Sequence, residues 1–371
     1  MKKEKVCFVV SSNYQIMISY FIQQYAEFDC GVISYSINEQ VNGIAEAVFD
    51  DCLVLPRLKK DWKSLMWRNR KVFQKAAEFV REKQPDKVIV FKDNDYINAS
   101  IIEESVEIGS KVMMIQEGLG VYTHHRVNRW KKWIRRGLRL FGYPKLYSEQ
   151  QAMNPNVEWI AINDQEQFPS YKKEGREIVD LPHALPDHEH IQKLARQIGV
   201  SIPYRESSNP CLLFLGQPLS EINLVEEGEE RTYLSKVFEC IRASGYDLYI
   251  KPHPSEQRSK YESTHEATLL GESIPAELLP AFIPISMIVT SSSSAADNIA
   301  LAHQIPALYL HHLTIKEPLD YEKKMNGSFI NSYEALEERL VRHRSGQRTV
   351  KQQLTRQKSS FRDFAESIMR Y

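Results

Sequence analysis

The chain has 371 residues, more than one ordinary domain needs and enough for two domains that each bury a core. Lysine plus arginine and aspartate plus glutamate are equal at 48 residues each, which excludes a nucleic-acid binder that relies on global positive charge. Five cysteines form no Cys-x-x-Cys pair, and no stretch reaches about 18 consecutive apolar residues, so we expect neither a disulfide framework nor a transmembrane helix.

Apolar strands alternate with amphipathic helices along the first half of the chain. The apolar run at residues 6–10 predicts a first strand rather than a signal peptide, because polar residues end it at Ser11, Ser12 and Asn13. Further strands are predicted at 30–35, 52–55, 87–91, 111–115, 157–162 and 177–181, and helices at 15–25, 62–83 and 97–108. This alternation predicts a parallel sheet covered on both faces.

The same alternation restarts after a region rich in proline and polar residues. Strands are predicted at 211–215, 247–250, 268–270, 286–290 and 307–310, and helices at 188–199, 229–245, 275–279, 295–303 and 333–370. We therefore predict an N-terminal Rossmann-like domain, a linker region, a C-terminal Rossmann-like domain and a C-terminal charged helix. Their ranges are 1–185, 186–209, 210–335 and 336–371.

Residues 124–145 combine basic and aromatic residues without a single acidic one. On a helix the apolar residues share one face, which predicts a basic amphipathic segment suited to anionic lipid headgroups or an anionic acceptor. The alternative is a solvated helix whose tryptophans pack on the domain. The residues concerned are His124, His125, Arg126, Arg129, Trp130, Lys131, Lys132, Trp133, Ile134, Arg135, Arg136, Leu138, Arg139, Leu140, Phe141 and Lys145.

His253 lies between two prolines at the end of a predicted strand, in Lys251-Pro252-His253-Pro254. Neither proline can donate to a strand ladder, so the strand stops there, and ligands of open α/β sheets bind at such carboxyl ends. A histidine held at that position can donate to a phosphate, or give a proton to a leaving group, near neutral pH. The alternative is a turn histidine that only fills space.

Two further features of the second half fall at helix N-termini. The serine run at residues 291–294 offers hydroxyls and backbone N–H groups to a phosphate, although serine is also a common helix cap. Glu277 lies in a first helical turn, where its carboxylate can accept from ribose hydroxyls or serve as a capping partner.

Glu117 is the corresponding candidate in the first half, on the loop that follows the predicted strand 111–115. A carboxylate beside a bound sugar nucleotide is the group that would deprotonate an acceptor hydroxyl. A loop-end acid in water is the alternative.

In order and spacing, these motifs resemble those of bacterial sialyltransferases and polysialyltransferases. Those enzymes carry acidic-acidic-Gly, His-Pro and Ser-Ser motifs on the two-Rossmann-domain glycosyltransferase fold, GT-B, so the resemblance implies an α/β fold with two such domains facing a cleft. One departure is that Gln116 stands at the first acidic position, which leaves Glu117 as the remaining acid. The matching segments here are Gln116-Glu117-Gly118, Gly216-Gln217-Pro218, Lys251-Pro252-His253-Pro254, Pro275-Ala276-Glu277 and residues 290–295.

The resemblance also implies an inverting transfer of sialic acid, or a related nonulosonic acid, from its CMP-activated donor to a glycan hydroxyl. Glu117 is then the general base and His253 contacts the CMP phosphate, with a further role as general acid left open. Because four serines are consecutive, the pair that corresponds to the Ser-Ser motif can be shifted by one position. The residues implied for the donor are Gly216, Lys251, His253, Pro254, Glu277, Ser293 and Ser294, and those for the acceptor are Ser12, Asn13, Gln15 and Gly118.

We expect no metal, because the sequence offers no His cluster with convincing ligand spacing, and no cofactor, because the CMP-sugar is a substrate. The expected partners are this donor and a glycan acceptor, with no nucleic acid. Residues 124–145 are expected to guide a lipid-linked or polyanionic acceptor and to make a peripheral membrane contact. The expected setting is bacterial capsule, surface polysaccharide or lipooligosaccharide synthesis, in the cytoplasm or on the inner face of the plasma membrane. Two alternatives stay open: a transferase that uses CMP-Kdo, CDP-glycerol or CDP-ribitol, and a non-catalytic scaffold that binds a nucleotide or glycan.

Overall fold

The computed structural model divides the chain into two compact units. The first comprises Met1–Ile198 and Ser359–Tyr371, and the second comprises Gly199–Lys358. The structure describes residues 3–36, 38–58, 68–122, 129–148, 150–182, 186–200, 202–204, 207–261, 266–271, 274–315, 322, 325–346 and 361–370.

A parallel sheet of seven strands forms the centre of the first unit. Its strands are β1 (Glu4–Val10), β2 (Phe28–Ser34), β3 (Cys52–Val54), β4 (Lys87–Val90), β5 (Lys111–Ile115), β6 (Trp159–Ile162) and β7 (Glu177–Asp180). They pair in the order β3-β2-β1-β4-β5-β6-β7, so the direction of sheet growth reverses between β1 and β4. In a doubly wound sheet this reversal opens a crevice at the carboxyl ends of the strands.

The central strands of this sheet are buried on both faces, which is typical of a parallel sheet covered by helices on both sides. Every residue of β1 from Val6 to Val10 is buried, as is every residue of β4 and β6. The helices described here are α1 (Asn13–Tyr25), α2 (Glu39–Val48), α3 (Asn69–Lys83), α4 (Tyr96–Glu107), α5 (Arg129–Leu140), α6 (Ser170–Lys173) and α7 (His188–Gln197).

The second unit repeats the architecture with six parallel strands. They are β8 (Cys211–Leu215), β9 (Asp247–Lys251), β10 (Thr268–Leu269), β11 (Ile285–Thr290), β12 (Ala307–Tyr309) and β13 (Ser328–Phe329), with helices α8 (Glu227–Ala243), α9 (Ser294–His303) and α10 (Tyr333–Gly346). The order is β10-β9-β8-β11-β12-β13, so the reversal lies between β8 and β11. A 3₁₀ turn at Ala276–Ala281 precedes β11.

The last helix, α11 (Phe361–Arg370), belongs to the first unit. Phe364 stacks on Trp159 with 6.3 Å between ring centroids, and Phe361 meets Phe21 edge-on at 6.1 Å. Lys87 Nζ donates to the carbonyl oxygens of Ile368 and Met369 at 3.0 and 2.7 Å, which satisfies groups that a helix C-terminus leaves without intrahelical partners.

The structure differs from the predicted elements in several places. The charged helix expected over 336–371 consists of α10 in the second unit and α11 in the first, and residues 347–360 of it lie outside the described part. The expected linker 186–209 contains α7, whose Ile191 and Leu194 are buried in the first unit. An amphipathic pattern predicts which face of a helix is buried but not which unit buries it.

Three elements, α2, α6 and β13, were not predicted at all. Of the helix predicted at 62–83, residues 62–67 lie outside the described part of the chain, and the described helix α3 begins at Asn69. Among the helices that the structure describes, none is long and apolar enough to cross a bilayer.

Candidate active site

In the first unit, Glu117 follows β5 and its carboxylate receives two side-chain hydrogen bonds. The Ser12 hydroxyl donates to Oε1 and the Gln15 amide donates to Oε2. The Gln15 amide is oriented because its own Oε1 accepts the Ser11 N–H at 2.6 Å, which leaves its NH₂ group for Glu117. Ser12 is held as the N-cap of α1, where its Oγ accepts the Gln15 N–H at 3.3 Å.

The electrostatic environment of Glu117 favours a carboxylate that can act as a base. Burial raises its pKa, while the hydrogen bond from Ser12, the positive charge of Lys92 and the hydrogen bond from Gln15 oppose that rise. Lys92 follows β4, and its Nζ lies 3.6 Å from Asp95 Oδ2 and 5.1 Å from the centroid of the Tyr35 ring. A raised pKa makes an ionised carboxylate a stronger proton acceptor.

The neighbours of Glu117 in the motif have structural tasks. Gln116 is buried, and its Oε1 accepts from the Tyr122 hydroxyl at 2.9 Å and from the Asn163 N–H at 2.8 Å. A neutral amide therefore occupies the position where the family resemblance leads one to expect an acid. Gly118 has φ +132°, a conformation that side chains other than hydrogen rarely adopt, so this glycine permits the turn after Glu117.

Two carboxylates after β4, in Asp93-Asn94-Asp95, are committed to structural hydrogen bonds. Asp93 accepts the backbone N–H groups of three consecutive residues, 152–154, at 2.6 to 2.8 Å. Asp95 is the N-cap of α4 and accepts the Tyr35 hydroxyl at 2.8 Å. Within the residues that the structure describes, no group of three or more His, Cys, Asp or Glu side chains is arranged to hold a metal ion.

In the second unit, Gly216, His253 and the serine run follow three neighbouring strands, β8, β9 and β11. Their carboxyl ends lie on one edge of the sheet, and the loops after β8 and β11 flank the reversal in strand order. Gly216 N–H donates to the Lys251 carbonyl at 3.0 Å. A Cβ atom on Gly216 would collide with the Glu256 carboxylate and the Tyr261 hydroxyl, which explains the glycine.

His253 is half-buried, and burial and then the charge of Lys251 lower its pKa against the opposing effect of Glu221, which favours the neutral ring at pH 7. The Ser255 N–H donates to its Nδ1 at 3.1 Å. Lys251 itself is buried at the end of β9, where its Nζ donates to the Pro252 carbonyl at 3.1 Å, and Pro254 is exposed. The positive charge of Lys251 thus makes the electrostatic potential at the His253 ring more positive.

The serine run opens α9, and its members differ in environment. Ser291 is buried against the Tyr233 hydroxyl at 2.9 Å between oxygens. Ser293 is the N-cap of α9 without a side-chain capping bond, and Ser294, the first helical residue, is exposed. The hydroxyls nearest to the free N–H groups of α9 are therefore those of Ser293 and Ser294.

Glu277 lies on the 3₁₀ turn that packs against α9. It is buried, and Asn298 Nδ2 donates to its Oε1 at 3.4 Å. The carboxylate is therefore one helical turn from the N-terminus of α9, within the second unit.

The structure thus brings the predicted residues together in two groups, one in each unit. Ser12, Gln15 and Glu117 are in direct contact in the first, with Asn13 as the first residue of α1 and Gly118 beside the carboxylate. In the second, the donor candidates that follow β8, β9 and β11 share one sheet edge, and Glu277 lies apart from that edge on the 3₁₀ turn that packs against α9. Of the basic segment 124–145, residues 124–128 and the side chains of 129–132 lie outside the described part.

Two features of these sites were not predicted from the sequence: Lys92 beside Glu117, and a buried charge network around Glu256 and Lys260. Lys92 follows a strand next to the reversal in sheet order, a position that could have marked it. Glu256 stands three residues after His253, and this spacing allows a side chain to reach back to a backbone N–H.

Two Rossmann-like units of this kind define the architecture of GT-B glycosyltransferases. Three solved structures share this fold with the chain at low sequence identity. The UDP-GlcNAc 2-epimerase of Methanocaldococcus jannaschii in complex with UDP-GlcNAc and UDP has a TM-score of 0.57 and 11% identity, over 99% of this chain and 98% of its own. A spinosyn forosaminyltransferase has a TM-score of 0.57 and 12% sequence identity, over 100% of this chain and 99% of its own. The Neisseria meningitidis UDP-GlcNAc 2-epimerase bound to UDP-GlcNAc has a TM-score of 0.54 and 14% sequence identity, over 91% of each chain.

A family model described as alpha-2,8-polysialyltransferase (POLYST) matches residues 7–312. The chain therefore belongs to the alpha-2,8-polysialyltransferase family, and it is a sialyltransferase-like glycosyltransferase. A comparison with curated protein sequences gives no match.

Substituting Ser12→Ala tests the contact between the cap of α1 and Glu117. The loss of the hydroxyl should raise the pKa of Glu117 further, because a hydrogen bond that stabilises the carboxylate is removed. It should also cost about 0.5–2 kcal/mol in the free energy of unfolding through the lost cap. Carbon-13 NMR titration of the carboxyl group and urea unfolding measure these two effects.

The matched control is Asn38→Ala, which removes the cap of α2, where Asn38 Oδ1 accepts the Gln40 N–H at 2.9 Å. It should lower stability by a similar amount and leave the Glu117 titration unchanged. A Glu117 pKa that is the same in the Ser12→Ala protein and the unsubstituted protein would contradict the assignment.

Proposed function

We propose that the chain transfers sialic acid, or a related nonulosonic acid, from its CMP-activated donor to a hydroxyl of a glycan acceptor with inversion of configuration. Family membership supports the class of sugar. The observation that carries the mechanism is the placement of Glu117, a carboxylate with a raised pKa that Ser12 and Gln15 hold at the carboxyl end of β5.

On the acceptor side, Glu117 is the general base. As the acceptor hydroxyl attacks the anomeric carbon of the donor sugar, its proton passes to the Glu117 carboxylate. Ser12 and Gln15 fix the orientation of that carboxylate, and Gly118 permits the backbone turn that follows Glu117. Ser12 and Asn13, at the start of α1, contribute polar groups for the acceptor, whereas Gln15 is buried and acts through its hydrogen bond to Glu117.

On the donor side, the bond between the anomeric carbon and the phosphate oxygen breaks, and CMP leaves with the electron pair. His253 and the N-terminus of α9, with Ser293 and Ser294, stabilise the charge that develops on the phosphate. Glu277 accepts from the ribose hydroxyls. Because the lowered pKa of His253 favours the neutral ring, we assign it phosphate contact through a neutral N–H rather than donation of a proton.

The proposed reaction uses no metal ion and no cofactor, since the helix N-terminus and the charge of the nearby Lys251 supply positive potential at the leaving phosphate, and neutral His253 donates a hydrogen bond to it. The proposed setting is synthesis of a bacterial capsule, surface polysaccharide or lipooligosaccharide on the cytoplasmic face of the plasma membrane.

Incubation of the purified protein with candidate donors, in the presence and absence of EDTA, tests donor choice. We expect CMP release from CMP-sialic acid, unaffected by EDTA, and little release from CMP-Kdo, CDP-glycerol or CDP-ribitol. In the same assay Glu117→Gln should lower kcat by about 10²–10⁴-fold, the usual contribution of a general base. Because the base acts when deprotonated, kcat/KM should fall as the pH falls through a Glu117 pKa that lies above 4.5.

The control is Glu166→Gln, an exposed loop carboxylate of the first unit, which should leave turnover unchanged. Turnover only with a CDP donor would contradict the proposal, and so would full activity of the Glu117→Gln protein. Donor binding without turnover by the unsubstituted protein would favour the non-catalytic scaffold.

The helix α5 supports a peripheral contact with an anionic lipid surface. Trp133, Ile134 and Leu140 are 69%, 58% and 87% exposed, and the Arg136 guanidinium lies 5.6 Å from the centroid of the Trp133 ring. Leu138 packs against the core of the first unit, which fixes the helix on the domain. Binding of a soluble polyanion would require only the arginines of α5. The exposed large apolar side chains beside these arginines suit a lipid interface instead.

Sedimentation with lipid vesicles tests this contact. The protein should bind vesicles of phosphatidylcholine and phosphatidylglycerol, and Arg135→Gln/Arg136→Gln/Arg139→Gln should weaken binding about 100-fold, at about 1 kcal/mol for each charge. Trp133→Ser/Ile134→Ser/Leu140→Ser should weaken binding to the same vesicles, because these side chains would enter the interface.

The matched control is Ile222→Ser/Leu224→Ser, which removes two side chains of the second unit that are 55% and 54% exposed. It should leave vesicle binding unchanged. Binding to free polysialic acid that depends on the arginines, together with no binding to vesicles, would contradict the lipid assignment.

A further inference from the structure

In the second unit, a buried charge network is hydrogen-bonded to the backbone of His253. Lys260 Nζ is 2.7 Å from Glu221 Oε2, 2.7 Å from Glu230 Oε1 and 3.6 Å from Glu256 Oε1. The side chains of Glu230 and Glu256 are only 2% and 1% exposed. Buried charges are costly unless they are paired and hydrogen-bonded, so a network with three carboxylates and one ammonium group calls for an explanation.

Within the network, Glu256 is the residue that reaches the His-Pro loop. Its Oε2 accepts the backbone N–H of His253 at 2.6 Å, and its Oε1 accepts the Tyr261 hydroxyl at 2.8 Å. The Glu256 N–H in turn donates to the His253 carbonyl at 2.9 Å. Because Pro252 and Pro254 have no N–H, the N–H of His253 is the donor through which this stretch can be held.

The ring of His253 is fixed by the same turn. The Ser255 N–H donates to Nδ1 at 3.1 Å, so Nδ1 acts as an acceptor and carries no proton. In the neutral ring the proton is then on Nε2. With the N–H, the carbonyl and Nδ1 of His253 all engaged inside the turn, Nε2–H is the donor left to face a ligand.

The other carboxylates of the network hold different parts of the unit. Glu230, on α8, accepts the Ser220 N–H at 3.2 Å, and Glu221 accepts the Gln257 N–H at 2.9 Å. The Glu256 carboxylate also packs on Gly216, where a Cβ would collide with it. Glu230 therefore shares burial and Lys260 with Glu256 but makes no contact with His253 among the hydrogen bonds of the described residues.

We propose that Glu256 is a positioning residue that holds His253 in the single tautomer with Nε2–H as the donor to the phosphate of the CMP leaving group. The identity of that ligand rests on the proposed function, whereas the tautomer and its dependence on Glu256 do not. Lys260 compensates the charge that this arrangement buries, and burial raises the pKa of Glu256 against the effect of its hydrogen bonds from His253 and Tyr261.

The experiment compares Glu256→Ala with Glu230→Ala, two truncations of equally buried partners of Lys260. Both should lower the Tm, because each leaves the Lys260 network short of one carboxylate. Nitrogen-15 NMR of labelled histidine in the ligand-free protein should show His253 as the Nε2–H tautomer in the unsubstituted and Glu230→Ala proteins, and a mixture of tautomers in Glu256→Ala. The Kd for CMP should rise about tenfold in Glu256→Ala alone, the effect of one misplaced hydrogen bond.

Two further variants guard against misfolding. Glu256→Asp keeps the charge beside Lys260 but is too short to reach His253, so it should behave like Glu256→Ala. Glu256→Gln keeps an acceptor oxygen for the His253 N–H and should restore both the tautomer and CMP affinity.

An unchanged His253 tautomer in Glu256→Ala and Glu256→Asp would overturn the inference, as would equal loss of CMP affinity in Glu230→Ala and Glu256→Ala. If the unsubstituted protein binds no CMP, the proposed function fails, and the tautomer measurement still decides the role of Glu256.

Discussion

Parallel strands end on the same edge of a sheet, and both candidate sites of this chain depend on that constraint. In the first unit it brings the loops after β1, β4 and β5 to one edge, where Ser12, Lys92 and Glu117 meet. In the second unit it does the same for the loops after β8, β9 and β11. The central strands β4, β6 and β8 are buried on both faces, so polar chemistry is confined to the strand ends, where helix N-termini also leave N–H groups free.

Two buried carboxylates show how one physical effect serves two tasks. Burial raises the pKa of both Glu117 and Glu256. The hydrogen bonds to Glu117 come from side chains on the edge of the sheet and leave it beside the polar surface around Ser12, which suits a group that exchanges a proton with a substrate. Glu256 is enclosed by Lys260, Tyr261 and the backbone of His253, which suits a group that holds a loop in place.

The repeated strand–helix pattern predicted two parallel sheets, and they are observed, because strands buried on both faces read as continuous apolar runs. Which unit buries α7 and α11 was not predictable, since an amphipathic pattern gives the buried face of a helix but not the unit against which that face packs. The contact of Ser12 and Gln15 with Glu117 was not predicted, since the sequence does not give the strand order β1-β4-β5 that brings the loops after β1 and β5 to one edge. The network of Glu221, Glu230, Glu256 and Lys260 was missed, because charged residues spread over 40 positions look like solvated surface in a sequence.

The most direct measurement is a crystal structure of the protein with CMP. The phosphate should lie at the N-terminus of α9, with His253 Nε2 at about 2.7–3.2 Å from a phosphate oxygen and the ribose hydroxyls beside Glu277. CMP bound elsewhere, or with its phosphate away from both His253 and the serine run, would contradict the donor site described above.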